Sequence, residues 1–215
     1  MARPANKHED KKRELLLIAE KLFIEKGFQQ TSVDDILLAS GISKGGFYHY
    51  FKSKDELLSE SINSLLDEVA VMLQKIADDD KLGAKDKLNR FFIEKSEFQS
   101  SKYEYAKLLG AIMQTEVSQY IFYCSMSNKL VPPLAQIISQ GAEEGVFDVE
   151  FPEETADILI RVISSVVQSP LYYSNRNVTE KHKRYVDSVQ CVISRTLGLK
   201  EPVNIYPNLG GVKND

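Results

Sequence analysis

The sequence predicts an all-α protein of about nine helices, and three observations support this fold class. Apolar residues recur three and four positions apart through most of the chain, which is the spacing of one face of an α-helix. Residues that start or stop helices stand at the ends of these stripes, among them Ser32, Gly41 and Ser43. With 215 residues, 43% of them hydrophobic, the chain can bury the core of one domain or of two small ones.

Charge is divided unevenly along the chain. The net charge is −4, yet residues 1–54 hold ten Lys or Arg against seven Asp or Glu, so the acidic excess lies in the remainder. A basic end on an acidic body would orient the approach to a polyanion.

Cys124 and Cys191 are too few and too far apart for a disulfide scaffold or a zinc site. No apolar run approaches ~18 residues and no signal-peptide core is present, so we expect a cytoplasmic protein with no membrane partner.

Two short helices joined by a tight turn are predicted for the stretch SVDDILLASGISKGGFYHYF. Ser32 can cap the first helix by accepting a backbone N–H of its first turn, and Gly41 ends it. Ser43 caps the second helix, on which Phe47 and Phe51 share one face. The other faces carry polar side chains or bare backbone, at Lys44, Gly45, Tyr48 and His49. A short helix with one apolar and one cationic, hydroxyl-bearing face suits a phosphate-lined groove.

In this region the chain resembles the TetR-like bacterial repressors. Their signature runs through Gly-aromatic, Thr-Ser-Val, Ile, Gly-Val-Ser-Lys-Gly, aromatic-Tyr-His-aromatic-Phe and Ser-Lys-Glu-Leu. The matching residues here are Gly27-Phe28, Thr31-Ser32-Val33, Ile36, Gly41-Ile42-Ser43-Lys44-Gly45, Phe47-Tyr48-His49-Tyr50-Phe51 and Ser53-Lys54-Asp55-Glu56-Leu57. The match is specific and covers the first sixty residues or so, whereas the rest fits the family only in length and helical pattern.

The resemblance implies a DNA-binding regulator and assigns a role to each matching position. Lys44 and Lys54 would neutralise phosphates. Hydrogen bonds to phosphate oxygens would come from Thr31, Ser32 and Tyr48. The other expected contributors to DNA binding are Ser43, Gly45, Gly46, His49 and Tyr50. Gly46 departs from the family, where Ser or Thr is common, and so removes one candidate contact and weakens the helix. Because one short helix reads only a few base pairs, the partner would be a palindromic operator in double-stranded DNA, bound by a homodimer.

Three segments are expected along the chain. Residues 1–54 would form the helix-turn-helix DNA-binding domain, and residues 55–199 a helical regulatory and dimerisation domain. Residues 200–215 are rich in Pro, Asn and Gly and predict a loose tail. A long fourth helix, at about residues 54–77, begins at a capping box and would link the two domains.

The helices outside the DNA-binding hairpin follow from stripes and breakers. The first should begin at about Lys11, after a polar tail that either touches DNA or is free in solution. Pro132 and Pro133 should break or kink the backbone, because proline lacks the N–H and clashes with the preceding turn. The other predicted helices cover about 85–99, 103–113, 118–130, 134–144, 152–167 and 179–197.

The last two predicted helices carry broad apolar stripes rich in β-branched residues. Two such helices cannot cover both their faces alone, so a four-helix bundle across a two-fold axis is expected, unless the faces pack within one monomer. The candidate interface residues are Leu159, Ile163, Val166, Val167, Tyr185, Val189, Val192 and Ile193.

The middle helices are rich in aromatic residues and methionine, which line small-molecule cavities but also ordinary helical cores. The candidates for a pocket that takes an effector of unknown identity are Phe91, Phe92, Tyr103, Met113, Gln114, Tyr120, Tyr123 and Met126.

The hypothesis from the sequence is a repressor that a small-molecule ligand releases from its operator. The alternative is a DNA-binding protein of the same fold that answers to a protein partner or acts as an activator. No cofactor and no enzyme activity are expected, because His8, His49 and His182 have no partner in a nucleophile motif. No metal is expected either, since Asp78-Asp79-Asp80 lacks the glycine-spaced loop of a calcium site.

Overall fold

The computed structural model describes residues 4–101, 110, 115–166 and 179–201, and within these ranges it contains eight helices and no strand. The expected all-α fold with an N-terminal helix-turn-helix is confirmed. The helices are α1 (Pro4–Lys26), α2 (Val33–Ser40), α3 (Lys44–Tyr50), α4 (Lys54–Ala77), α5 (Ala84–Ser101), α6 (Glu116–Glu143), α7 (Pro152–Val166) and α8 (Thr179–Thr196). Among the described residues, no helix is long and apolar enough to cross a bilayer.

The chain forms two compact units that interleave in sequence. One comprises Met1–Leu65 and Lys102–Phe122, and the other comprises Leu66–Ser101 and Tyr123–Asp215. Helices α4 and α6 each contribute residues to both units. The predicted division between residues 54 and 55 stays a prediction.

The first unit contains α1, α2, α3 and the first half of α4 around an aromatic core. The rings of Phe23 and Phe28 meet edge to face with 5.2 Å between centroids, and those of Phe47 and Phe51 lie 5.9 Å apart. The buried apolar side chains here are Leu15, Ala19, Phe23, Phe28, Ile36, Phe47, Phe51, Leu57, Leu58 and Ile62. Burial of each large side chain contributes about 1.5–3 kcal/mol, which holds helices as short as α2 and α3 in place.

The start of α1 differs from the prediction. A polar tail was expected through Asp10, but the helix already begins at Pro4. Proline is well suited to the first turn of a helix, because its missing N–H would have no partner there and its φ is already helical. The predicted start near Lys11 is therefore wrong by about two turns.

In the second unit, a buried lysine joins the end of α4 to α5 and α6. Lys87 is 3% exposed, and its ammonium donates to the carbonyl of Ala77 at 2.6 Å and to Oε1 of Gln140 at 2.7 Å. The amide of Gln136 donates to the same Ala77 carbonyl at 3.2 Å. Ala77 is the last residue of α4, so a cation meets the negative end of the helix dipole.

Of the break or kink predicted at Pro132 and Pro133, the break does not occur, because both prolines lie inside the continuous helix α6. Two prolines in mid-helix remove two backbone donors and cost about 3 kcal/mol or more each. Four side chains that flank them are fully buried, and each contributes about 1.5–3 kcal/mol. These residues are Leu130, Leu134, Ile137 and Ile138. Their burial offsets the local penalty and keeps the segment helical.

Candidate nucleic-acid interface

The first helix of the hairpin begins at a complete capping box. The Ser32 hydroxyl accepts the N–H of Asp35 at 3.1 Å, and the Asp35 carboxylate accepts the N–H of Ser32 at 2.9 Å. The hydroxyl also donates to that carboxylate at 2.7 Å, and Lys26 binds its other oxygen at 2.7 Å. The hydrogen bond from Lys26, with those from Ser32, holds the pKa of Asp35 far below its usual range. Ser32, an expected phosphate contact, thus already caps α2.

The turn between α2 and α3 is fixed by three residues. Gly41 ends α2 in the left-handed conformation, with φ of 64°, which glycine adopts without the steric cost of a Cβ. Ser43 then caps α3, and its hydroxyl accepts the N–H of Gly46 at 3.1 Å. Between them Ile42 is half-buried. The predicted turn and caps are confirmed by this geometry.

Helix α3 presents two distinct faces, as its sequence indicated. Phe47 is fully buried on the inner face, and Phe51 caps the helix from within the core. The exposed positions are Lys44, Gly45, Tyr48 and His49, while Gly46 and Tyr50 are half-buried. Seven residues span only about 10 Å, a length that fits within a major groove. The exposed face therefore offers a cation, a phenol, an imidazole and bare backbone to a ligand.

Two other expected DNA contacts have internal partners. Thr31 is fully buried, and its hydroxyl donates to the carbonyl of Gly27 at 2.9 Å. The ammonium of Lys54 donates to the carbonyls of Phe28 and Thr31 at 2.9 and 2.8 Å and lies 4.3 Å from the ring centre of Phe28. Both side chains stabilise the loop between α1 and α2, a role that the sequence did not indicate because Lys54 lies more than twenty positions away.

A further ring lies against α3 that the prediction missed. The imidazole of His8 in α1 has its centroid 5.3 Å from that of His49 and 4.8 Å from that of Tyr50. His8, Lys12 and Leu15 are spaced as one helical face, and this spacing is the signal that would have extended α1 toward the N-terminus.

The candidate pocket residues are only partly within the described chain. Phe91, Phe92 and Met126 are buried, and the Ser164 hydroxyl donates to the sulfur of Met126 at 3.6 Å. Tyr123 is half-buried, which raises the pKa of its phenol, whereas Tyr120 is exposed. Tyr103, Met113 and Gln114 lie outside the described residues.

Lys95 stands one turn beyond Phe91 on α5 and was not singled out from the sequence. Burial lowers the pKa of its ammonium to about 8. Open grooves of about 550 and 720 Å³ lie among the described residues of the second unit, and the described pocket candidates line neither.

The candidate dimer residues divide by exposure. Leu159, Ile163, Val189 and Ile193 are buried within the protomer, Tyr185 is half-buried, and Val192 is exposed. Val166 is the last residue of α7, and Val167 lies outside the described residues. On α7 the exposed apolar side chains are instead Ile158 and Val162, one position earlier in each turn. The outward stripe is thus displaced from the predicted one.

Comparison with known proteins agrees with this architecture. Residues 15–60 match the family described as "Bacterial regulatory proteins, tetR family", and residues 113–182 match a "Tetracyclin repressor-like, C-terminal domain". The chain is 30% identical over 169 residues to the HTH-type transcriptional repressor KstR2 of Mycobacterium tuberculosis, an alignment that covers 76% of this chain and 80% of KstR2. This chain belongs to the TetR family. The resemblance seen in its first sixty residues is confirmed.

Solved structures of a repressor and of a transcriptional regulator share the fold. SmeT, the repressor of the Stenotrophomonas maltophilia multidrug efflux pump SmeDEF, is 15% identical and superposes with a TM-score of 0.66, over 90% of this chain and 95% of SmeT. FadR from Bacillus subtilis, solved in complex with stearoyl-CoA, is 14% identical with a TM-score of 0.62, over 85% of this chain and 97% of FadR.

Among the described residues, no group of three or more His, Cys, Asp or Glu could hold a metal ion.

Proposed function

We propose that this TetR-family protein is a cytoplasmic, dimeric repressor of transcription that a small molecule releases from a palindromic operator. The observation that carries the proposal is the exposed face of α3, which combines Lys44, Tyr48 and His49 with the uncovered backbone of Gly45. This face has the cation, hydrogen-bond donors and close backbone approach that phosphate and base-edge contacts need. We propose no catalytic role.

In this proposal the predicted DNA residues act in two ways. Lys44, Tyr48, His49 and Tyr50 touch DNA directly, and Gly45, on which a Cβ would meet nothing within 4 Å, allows close approach. Thr31, Ser32, Ser43 and Lys54 hold the hairpin in shape through the hydrogen bonds described above.

Dimerisation would place two copies of α3 on successive turns of the duplex. The exposed apolar residues of α7 and α8 support an interface there, since Ile158 is 57% exposed and Val192 is 54% exposed. Together with Val162 they form the patch we propose to meet a second copy. The spacing of two half-sites would then be about 34 Å or a multiple of it.

An effector would bind in the second unit and lower the affinity for DNA. Phe91, Phe92, Tyr123 and Met126 supply apolar and phenolic groups, and Lys95 adds a cation on the same helix as the two phenylalanines. Amphipathic molecules with an acidic group are therefore the class to screen first, and FadR, which shares the fold, was solved with stearoyl-CoA.

The ligand would favour the conformation with wrongly spaced recognition helices, a coupling of typically ~1–3 kcal/mol. Helix α4, which has residues in both units, would transmit the change. The alternative effector is a protein partner, and activation rather than repression is the alternative outcome.

The test is selection of bound sequences from random duplex DNA with the purified protein, together with sedimentation to determine its mass. We expect a palindromic consensus and a dimer. A strictly monomeric protein, or one that selects no sequence at low ionic strength, would disprove the proposal. Titration of acidic amphipathic molecules against the selected duplex then separates a metabolite effector, which releases the DNA, from a protein partner.

A further inference from the structure

The N-terminal turns of α1 reach the far end of the recognition helix α3. His8, His49 and Tyr50 form a triangle of rings, in which the His49 and Tyr50 centroids are 5.2 Å apart and both lie within 5.3 Å of His8. The His8–His49 contact is edge to face, at 82° between ring planes, and such aromatic pairs are attractive beyond their buried area. One ring of α1 therefore contacts two of the four α3 side chains that we expect to touch DNA.

The next turn of α1 anchors the same end of α3. Lys12, four positions after His8, donates to the carboxylate of Glu60 at 3.1 Å and stands 5.7 Å above the ring of Phe51. Leu15, on the same face, is fully buried. The contacts of Lys12 and the burial of Leu15 thus fix the face of α1 that carries His8.

Helix α3 needs such support because it is short and contains two glycines. Seven residues make only two turns, and each glycine weakens a helix by roughly 0.5–1 kcal/mol relative to alanine. The core holds Phe47 and Phe51, but His49 is exposed and Tyr50 only half-buried. Without a neighbour, their rings would have to be ordered at the moment DNA binds, and the ordering of a side chain at an interface is costly.

We infer that His8 is a positioning residue for DNA recognition, which pre-orders the rings of His49 and Tyr50 from α1. The inference rests on the proposed function and deepens it by adding a specificity-determining residue outside the helix-turn-helix. The His8 side chain remains 45% exposed, so it stays accessible to a bound duplex while it contacts the two rings. Its action through the two rings is distinguishable from direct phosphate binding, because only the latter depends on its nitrogen atoms.

The experiment compares His8→Ala, His8→Phe and the control Leu17→Ala, each assayed with the selected operator and with a random duplex over a range of salt. Leu17 is an exposed, uncharged residue of the same helix, and its side chain carries no ring. We expect His8→Ala to weaken operator binding about threefold to tenfold, the equivalent of one newly mobile side chain, with random-duplex affinity and salt slope almost unchanged. His8→Phe keeps the ring contacts and should restore most of the affinity, while Leu17→Ala should match wild type.

Three results would overturn the inference. His8→Ala could bind the operator as wild type does, which would make the ring contacts irrelevant. His8→Phe could be as weak as His8→Ala with a shallower salt slope, which would mean that His8 binds phosphate itself. His8→Ala could melt as wild type does and lose operator and random-duplex affinity equally, which would mean that His8 supports binding to any DNA and not recognition of the operator. Failure of the wild-type protein to prefer any duplex would instead defeat the proposed function, and with it this inference.

Discussion

Ile42 fills the space in which Gly46 would carry a side chain. A Cβ placed on Gly46 would lie 2.6 Å from Cγ1 of Ile42, closer than real Cβ contacts allow, and 3.0 Å from Cδ1. A Cβ on the neighbouring Gly45 would meet nothing within 4 Å. Gly46, where the family commonly has Ser or Thr, therefore leaves room for the side chain of Ile42 in the turn, and the residue types at the two positions depend on each other.

Alanine substitutions of the two glycines should have opposite effects. Gly45→Ala should stabilise the protein by about 0.5–1 kcal/mol, because alanine is the better helix former and the space is open. Gly46→Ala should destabilise it by about 1 kcal/mol, since overpacking typically costs about 1–3 kcal/mol and exceeds that gain. Urea unfolding of both variants measures the difference.

A double-mutant cycle with Ile42→Ala supplies the control. In that background Gly46→Ala should no longer destabilise, because the clashing atoms are absent. Equal costs of Gly46→Ala with and without the Ile42 side chain would contradict the pairing.

The two lysines expected at DNA should separate into a binding and a structural residue. Lys44 is exposed, so Lys44→Ala should weaken binding to every duplex and lower the salt slope by about one per subunit, with unchanged thermal stability. Lys54→Ala should instead cost about 1–3 kcal/mol of stability, because two carbonyls lose a charged donor. Differential scanning calorimetry gives the thermal stability, and salt titrations with one duplex give the salt slope of binding. A Lys54→Ala protein that melts like wild type but has the lower slope would place Lys54 on a phosphate.

Local signals made most of the hairpin predictable, and distant partners account for what was missed. The caps at Ser32 and Ser43 and the stop at Gly41 act within four residues, so spacing alone revealed them. The loop carbonyls that hold Lys54 lie 23 and 26 positions away, and the rings that meet His8 lie more than forty positions away. No periodicity in one segment reports such contacts.

The second unit shows the same limit in its helices. Pro132 and Pro133 are strong local breakers, but burial of the residues around them outweighs the penalty, and burial depends on the rest of the fold. On α7 the apolar stripe was recognised, yet Leu159 was assigned to the dimer interface and Ile158 was not. The structure buries the first and exposes the second.

Glu20 should make the stability of the first unit depend on pH. Burial in α1 raises the pKa of its carboxyl, and the neighbouring hydroxyl of Ser61 offsets part of the rise. Because the folded state holds the proton more tightly, the protonated carboxyl stabilises the fold at pH values below the pKa of the unfolded chain, near 4.5. This contribution is lost as the pH rises through the pKa of the folded state. Glu20→Gln should therefore melt higher than wild type at neutral pH, and the gain should vanish at about pH 4.

The exposed Glu25 of the same helix provides the matched control for this titration. Glu25→Gln removes the same charge from the unit but no buried carboxylate, so its melting temperature should follow that of wild type across the pH range. Equal behaviour of the two variants would show that overall charge, and not the burial of Glu20, sets the pH dependence.

Removal of the Lys87 ammonium, which binds the last carbonyl of α4 from α5, should destabilise that end of α4. Lys87→Met keeps an unbranched side chain but removes the 2.6 Å hydrogen bond to the Ala77 carbonyl, and the longer bond from Gln136, at 3.2 Å, remains. Loss of a charged hydrogen bond costs about 1.5–3 kcal/mol, partly offset because no ammonium is then desolvated. Urea unfolding should show this loss, whereas Lys85→Met, on the exposed surface of α5, should show almost none. If Lys87→Met unfolds at the wild-type urea concentration, desolvation of the ammonium balances its hydrogen bonds, and Lys87 does not stabilise the junction.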